Sequence, residues 1–289
     1  MSQIVCAGHV NWDVTLQVDT LPPPDGEAAV ERRFQAGGGS ASNTAAVLAG
    51  LDCRPLLLGS VGSNETGELV RRELEQAGVD CTYLIQVAGD TTVKYLVVDG
   101  DGQVMVLSSE GVNEAFDATD IPAKTVAESS HLHLTGQEPE TAEKLIERAH
   151  EQDISVSFDP GRRVDSRAYG PSISAVDTVF LNAREMAVAR EKGVLRSGQC
   201  IVTKRGGDGA ALYQDGETIS HPGFSVDVID TTGAGDAFAG GFLAARDAGF
   251  SLDEALAVGN ACGAIAVQSV GARTTLSWER VAEYVENSL

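Results

Sequence analysis

The stretch HLHLTGQEPETAEKLIERAHEQDISVSFDP, residues 131–160, reads as strand, helix, strand. His131-Leu132-His133-Leu134 alternates as a strand does, and Ile154 to Phe158 is a second short apolar run. Between them, Pro139 to Gln152 sets Ala142, Leu145, Ile146 and Ala149 on one helical stripe. Two strands joined through a helix are the unit from which parallel sheets are built. The rhythm extends outward in both directions. Apolar runs recur at Ile4 to Ala7, Leu56 to Leu58, Thr178 to Leu181 and Cys200 to Thr203. Helix-like segments lie between most of them, such as Glu65 to Ala77, whose stripe of Leu69, Val70, Leu74 and Ala77 stops at Gly78. The pattern predicts an α/β fold in three layers, with a mainly parallel central sheet and helices on both faces.

Two segments break the rhythm. Asp13 to Val18 alternates apolar and polar residues, and Val93 to Leu107 reads as two strands around the turn Asp99-Gly100-Asp101-Gly102. They predict a small β lid, formed by about 12–36 and 91–110, on one domain spanning 1–289. From Gly235 onward the chain reads as helical, with helices near 235–248, 252–268 and 277–287.

Composition narrows the function. Among 289 residues, 42 are acidic and 21 basic, a net charge of −21, which argues against non-specific binding to nucleic acid or an anionic membrane. Only 5 of the basic residues are lysine, a balance that predicts a halophilic protein kept soluble in concentrated salt. No apolar run approaches the roughly 20 residues of a membrane helix, and the start of the chain lacks the basic and apolar regions of a secretory leader, so a cytoplasmic location is expected. Five isolated cysteines without a CxxC pair suit reduced core residues. His131 and His133 share a strand face and form a possible metal pair, but no cysteine or third histidine lies nearby, which favours simple packing.

The chemistry is concentrated in DTTGAGDAFAGGF, residues 230–242. Gly233, Ala234 and Gly235 bring backbone N–H groups together at a helix start, where unpaired donors and the helix dipole favour a phosphate. Asp236 sits beside that cradle, where a carboxylate takes a proton from an attacking hydroxyl while the amides hold the transferring phosphoryl. The plainer alternative is a capping aspartate with glycines that allow tight packing. A second glycine-rich run, Gly37-Gly38-Gly39-Ser40-Ala41-Ser42-Asn43-Thr44-Ala45, lacks the GxGxxG spacing, and with no Gly-Lys pair the chain has no Walker loop. Its glycines suit close approach of a polyhydroxy ligand, with Asn43 as a donor and acceptor.

These two motifs, together with Asn-x-x-Glu at Asn182 to Glu185, resemble the ribokinase (PfkB) family of carbohydrate and nucleoside kinases over essentially the whole chain. The resemblance implies Asp236 as catalytic base, with the amides of Gly233, Ala234 and Gly235 as anion hole. It implies substrate contacts at Asn11, Asp13, Gly38, Gly39 and Asn43. For ATP it implies Asn182, Thr203, Lys204, Gly206 and Asn260, with Glu185 organising Mg2+. It further implies a monovalent cation, potassium, at Asp230, Thr232, Ala266, Ser269, Gly271 and Thr275. Independently of the family, the exposed β edges of the lid predict a homodimer in which two lids pair.

The substrate is less constrained. HLTGQEPE at 133–140, SFDPG at 157–161 and GGSASNTA at 38–45 resemble archaeal nucleoside kinases, for which Trp12, Phe34 and Tyr95 are candidate base platforms or lid packing. The FDPGRR stretch resembles kinases of 2-keto-3-deoxygluconate, with Arg163 at the substrate arginine and Arg162 beside it. The expectation is an ATP-dependent kinase of a primary hydroxyl on a ribosyl substrate, first a nucleoside. The alternatives are ribose, fructose or 2-keto-3-deoxygluconate, or a catalytically silent ligand-binding relative.

Overall fold

The computed structural model describes residues 2–101 and 103–285. In chain order its elements are β1 (Gln3–Ala7), β2 (Asn11–Val18), β3 (Val30–Gly38), α1 (Ser40–Gly50), β4 (Arg54–Gly62), α2 (Glu65–Gln76), β5 (Leu84–Val87), β6 (Val93–Val98), β7 (Val104–Ser109), α3 (Ala123–Ala127), β8 (His131–Thr135), α4 (Pro139–His150), β9 (Ser155–Asp159), α5 (Gly170–Ala175), β10 (Thr178–Asn182), α6 (Ala183–Glu191), β11 (Cys200–Lys204), β12 (Ala210–Gln214), β13 (Glu217–His221), α7 (Ala234–Asp247), α8 (Leu252–Ala266) and α9 (Trp278–Val285). The nine-stranded central sheet runs β13-β12-β11-β10-β9-β8-β1-β4-β5. It is parallel from β11 to β5, and β12 and β13 turn antiparallel at one edge.

Burial on both faces explains the short apolar runs. Along β1, Ile4 and Cys6 join a core shared with Leu48 of α1, Phe242 of α7 and Leu256 of α8. Val5 and Ala7 point the other way, into a core with Leu145 and Ile146 of α4. The three layers expected from the sequence are thus present. The β12–β13 hairpin was not expected, although Asp215-Gly216, both at positive φ (51° and 84°), is a hairpin signal. The two strand histidines bond to β9: His131 pairs with the hydroxyls of Ser155 and Ser157, and His133 Nδ1 with Ser157, while His133 Nε2 is buried without a partner. Among the described residues, no helix is long and apolar enough to cross a membrane.

A second sheet of four strands, β3-β2-β6-β7, forms the lid. It rests on the body where the Gly37 N–H donates to Glu73 of α2 at 2.8 Å. Its outer strand β7 leaves Val104, Met105, Val106 and Leu107 exposed. Gly102 of the expected lid turn, and residues 286 and 287 of the expected last helix, lie outside the described residues.

Candidate active site

Side chains converge at the C-terminal ends of β8, β9 and β11, the edge at which open parallel sheets bind ligands. The start of α7 is the centre. Asp230 accepts from the N–H of Thr232 at 2.8 Å and of Gly271 at 2.9 Å, pinning the turn before the helix to the C-terminal loop. Gly233 has φ +76°, and a Cβ there would lie 2.4 Å from the Ala272 carbonyl oxygen, so both conformation and space demand glycine. The Ala234 N–H leans on the Thr231 carbonyl at 3.3 Å. No acceptor among the described residues takes the N–H of Gly233, Gly235 or Asp236, so these are open donors at the positive helix end.

Asp236 stands in the first turn, and its Oδ2 accepts from Asn43 Nδ2 at 2.8 Å. Burial, and then the charge of Asp159, push its carboxyl above the usual range, against the opposing pull of Asn43 and Lys204. Across the pocket, Asn11 donates to Asp13 Oδ1 at 2.5 Å. Asp13 lies against Gly38, where a Cβ would come within 2.1 Å of its Oδ2, so the glycine permits this contact. Burial pushes Asp13 up to about 6, although Lys94 and Arg273 pull it down.

The sequence reading missed Arg273. It donates to Ser42 at 2.9 Å and to Asn43 at 3.4 Å, and it pairs with Glu73 at 3.5 Å. It thereby braces the glycine loop, the asparagine that holds Asp236, and α2. Its only sequence signal was a lone arginine in the C-terminal loop.

Among the residues expected to meet ATP, Lys204 Nζ pairs with Asp159 Oδ2 at 2.5 Å, a pair missed from the sequence. The ammonium lies beside Gly235, whose added Cβ would be 3.2 Å from Nζ, and Asp159, Glu185 and Asp236 all favour its charge. Asn182 and Glu185 form a reciprocal capping box: the Asn182 N–H donates to Glu185 at 2.8 Å and the Glu185 N–H to Asn182 at 2.9 Å. Thr203 Oγ1 is buried without a partner, and Gly206 faces open space. Asn260, on α8, returns its amide N–H to the Leu256 carbonyl at 2.9 Å.

Burial and the nearby Asp159 push the Glu185 carboxyl up, as befits carboxylates gathered where a cation belongs. Among the described residues, no cluster of three or more histidine, cysteine or carboxylate groups offers a complete metal cage. Glu185 and Asp159 are oxygen donors of the kind Mg2+ takes, one or two carboxylates with phosphate and water completing the shell. At the expected potassium site, Ser269 bonds Thr274 Oγ1 at 2.6 Å and reaches the Ala266 carbonyl at 3.5 Å. The Thr275 carbonyl accepts from Arg280, which sets a guanidinium against a cation there.

Strand register sorts the lid residues by face. Asp13 pairs with Lys94 of β6, so both point to the same side; Trp12 and Tyr95, one place along, point to the other. Trp12 packs against the body core and Tyr95 is exposed. Of the three candidate aromatics, only Phe34, opposite Thr15, shares the face of Asp13. Arg163 lies on the same edge and pairs with Glu114 at 2.8 Å. A cavity of 560 Å³ lies at the opposite ends of the strands, around Ile4, His131 and Cys200, away from all of these groups.

Comparisons agree with this geometry. Residues 1–279 match the model of the pfkB family of carbohydrate kinases. An ATP-dependent ribose-1-phosphate kinase of Halopiger xanaduensis is 46% identical over 291 residues, covering 99% of this chain and 98% of that protein. The solved nucleoside kinase of Methanocaldococcus jannaschii superposes with a TM-score of 0.86 at 25% identity, over 99% of both chains. A ribokinase from Thermotoga maritima gives 0.87 at 25% identity, over 99% of this chain and 100% of that one. Matched over nearly its whole length, the chain belongs to the pfkB family and is an ATP-dependent phosphotransferase acting on a sugar or nucleoside hydroxyl.

Proposed function

We propose that the chain phosphorylates the primary hydroxyl of ribose 1-phosphate with ATP. The observation that carries this reading is the lid register, which turns Lys94 toward Asp13 and turns Trp12 and Tyr95 away. A pocket faced with cations rather than paired aromatic plates suits a sugar phosphate better than a base. The 46% identity to a ribose-1-phosphate kinase supports it.

In this reading Asn11 and Asp13 hold the ring hydroxyls, and the Gly38-Gly39 backbone and Asn43 fix the sugar beneath the lid. The primary hydroxyl meets Asp236, whose raised proton affinity suits a general base. The open N–H groups of Gly235 and Asp236, with Lys204 beside them, receive the charge of the transferring phosphoryl. Glu185, with Asp159, would hold Mg2+, which when bound neutralises phosphate charge. A potassium ion would draw on Asp230, Ala266, Ser269 and Gly271. The exposed apolar strand β7 supports pairing of two lids in a homodimer.

A nucleoside is the second reading. It is favoured by Phe34, which lines a 150 Å³ cavity with Asp13 and Thr15. ADP release in molar potassium chloride separates the two, across ribose 1-phosphate, inosine, ribose, fructose and 2-keto-3-deoxygluconate. We expect kcat/KM for ribose 1-phosphate to exceed that for inosine at least tenfold; the reverse order overturns the proposal.

Asp13 gives a pH signature. Pushed up to about 6, it accepts sugar hydroxyls only above that pH, so the acceptor KM should rise up to about tenfold per unit below it. Asp13→Asn should abolish that limb, and a limb that persists in the variant assigns it elsewhere. The same shift acts on stability. From its ordinary value of 3.8 to about 6, the folded chain holds a proton that the unfolded chain has lost, so this residue's contribution falls as pH rises across that window.

A further inference from the structure

A second charged cluster lies on the same sheet edge, outside the transfer machinery. His9 follows β1, Glu138 follows β8, Arg163 and Arg167 follow β9, and Glu114 lies on the chain returning from the lid. Three donors converge on Glu114: His9 Nε2 at 2.5 Å, Arg163 at 2.8 Å and Arg167 at 2.8 Å. Arg167 also pairs with Glu138 at 3.1 Å. Burial raises Glu114, yet the hydrogen bonds from His9 and Arg167 outweigh it and hold the carboxyl well below its usual range. The segment is held in place by Ser60, which accepts from the Ala115 N–H at 3.0 Å.

The surroundings are short of partners. Gln137, completely buried at the end of β8, has neither amide atom hydrogen-bonded, and Arg167 Nη1 and Asn11 Oδ1 are buried and unpaired. Buried polar groups left open in this way mark a place where a polar ligand is missing. Lys94 joins the cluster to the reaction centre, because its charge acts on His9, Asp13 and Asp236 alike. It has no ion-pair partner among the described residues. The glycine loop closes the remaining side: a Cβ on Gly39 would lie 2.3 Å from the His9 carbonyl oxygen. A ribose ring with its primary hydroxyl at Asp236 and its other hydroxyls at Asn11 and Asp13 turns its anomeric carbon away from Asp236, toward this cluster.

We propose that His9, Lys94, Arg163 and Arg167 form an anion subsite for the phosphate already carried by the sugar, and that the Glu114 carboxylate fills it until substrate arrives. The inference rests on the ribose 1-phosphate reading. A dianionic phosphate presents more acceptors than a carboxylate to the same forked donors, and it reaches Lys94, with which Glu114 forms no ion pair. Displacing Glu114 also releases the segment that returns from the lid from the arginines after β9, so occupancy of the subsite is coupled to lid position.

The test is steady-state kinetics of the full chain in molar potassium chloride, varying ribose 1-phosphate and ATP separately. Lys94→Met breaks no ion pair, and it should raise the KM for ribose 1-phosphate roughly 10- to 100-fold while leaving the KM for ATP within about twofold. Glu114→Gln should move the sugar KM the other way, lowering it several-fold, which loss of a merely structural contact does not do. If Glu114→Gln fails to fold, Lys94→Met alone decides. Unchanged sugar KM in Lys94→Met, with ribose 1-phosphate still turned over, overturns the subsite and leaves the substrate reading standing. No turnover of ribose 1-phosphate by the wild-type chain overturns both.

Discussion

Replacing Asp236 with Asn should lower kcat by about 10²- to 10⁴-fold, the range of a general base, and should leave the acceptor KM within a few fold. The substitution preserves shape, and an amide oxygen still accepts from Asn43, whose Nδ2 now lies 2.8 Å from the carboxylate. What disappears is the proton acceptor beside the open N–H groups at the start of α7. The same variant should be at least as heat-stable as the parent. Burial and Asp159 raise the proton affinity of Asp236, so ionising this carboxyl is a cost to the folded state, and a neutral amide removes that cost. Turnover and a melting curve on one preparation check both halves. A kcat within tenfold of the parent would remove Asp236 from the chemistry. A parent with no turnover at all would point to the silent ligand-binding relative, an outcome that family membership makes hard to reconcile with an intact GAGD run.

The α/β order was legible because both faces of the sheet are buried, which turns strands into short apolar runs, and because amphipathic helices such as α4 carry their stripe in the sequence. The start of α7 was legible for a local reason: an anion cradle is made of consecutive residues. What sequence reading missed is long-range. Lys204 and Asp159 are 45 residues apart, and Arg273 and Asn43 are 230 apart, so no spacing rule brings them together. The three aromatics do not share a face because a strand's residues alternate sides, and only the pairing of β2 with β6 reveals that Lys94 shares the side of Asp13. Glu185 shows a mixed case. Its spacing from Asn182 was recognised through the family, yet the same four residues are also a helix capping box, which the sequence alone already carried.

Lys204 is where the largest stability effect is expected. Its ammonium is 14% exposed and its partner Asp159 8%, with Glu185 and Asp236 also within its electrostatic reach. In Lys204→Met the carboxylates lose the ammonium that pairs with Asp159. Breaking a buried pair from one side costs about 3–5 kcal/mol, more than the pair itself contributes, because the remaining charge stays buried and uncompensated. Adding Asp159→Asn to Lys204→Met should therefore recover a large part of the loss, since it removes the stranded charge rather than restoring the pair. Chemical denaturation of the two variants and the parent at neutral pH measures this directly. Catalysis should not recover with stability. The ammonium beside Gly235 lies where charge builds on the transferring phosphoryl, and losing one such donor costs about 10²- to 10³-fold in kcat. The double variant, refolded but still slow, separates the two roles; a loss in stability below about 1 kcal/mol in the single variant would mean that the ion pair is solvated rather than buried.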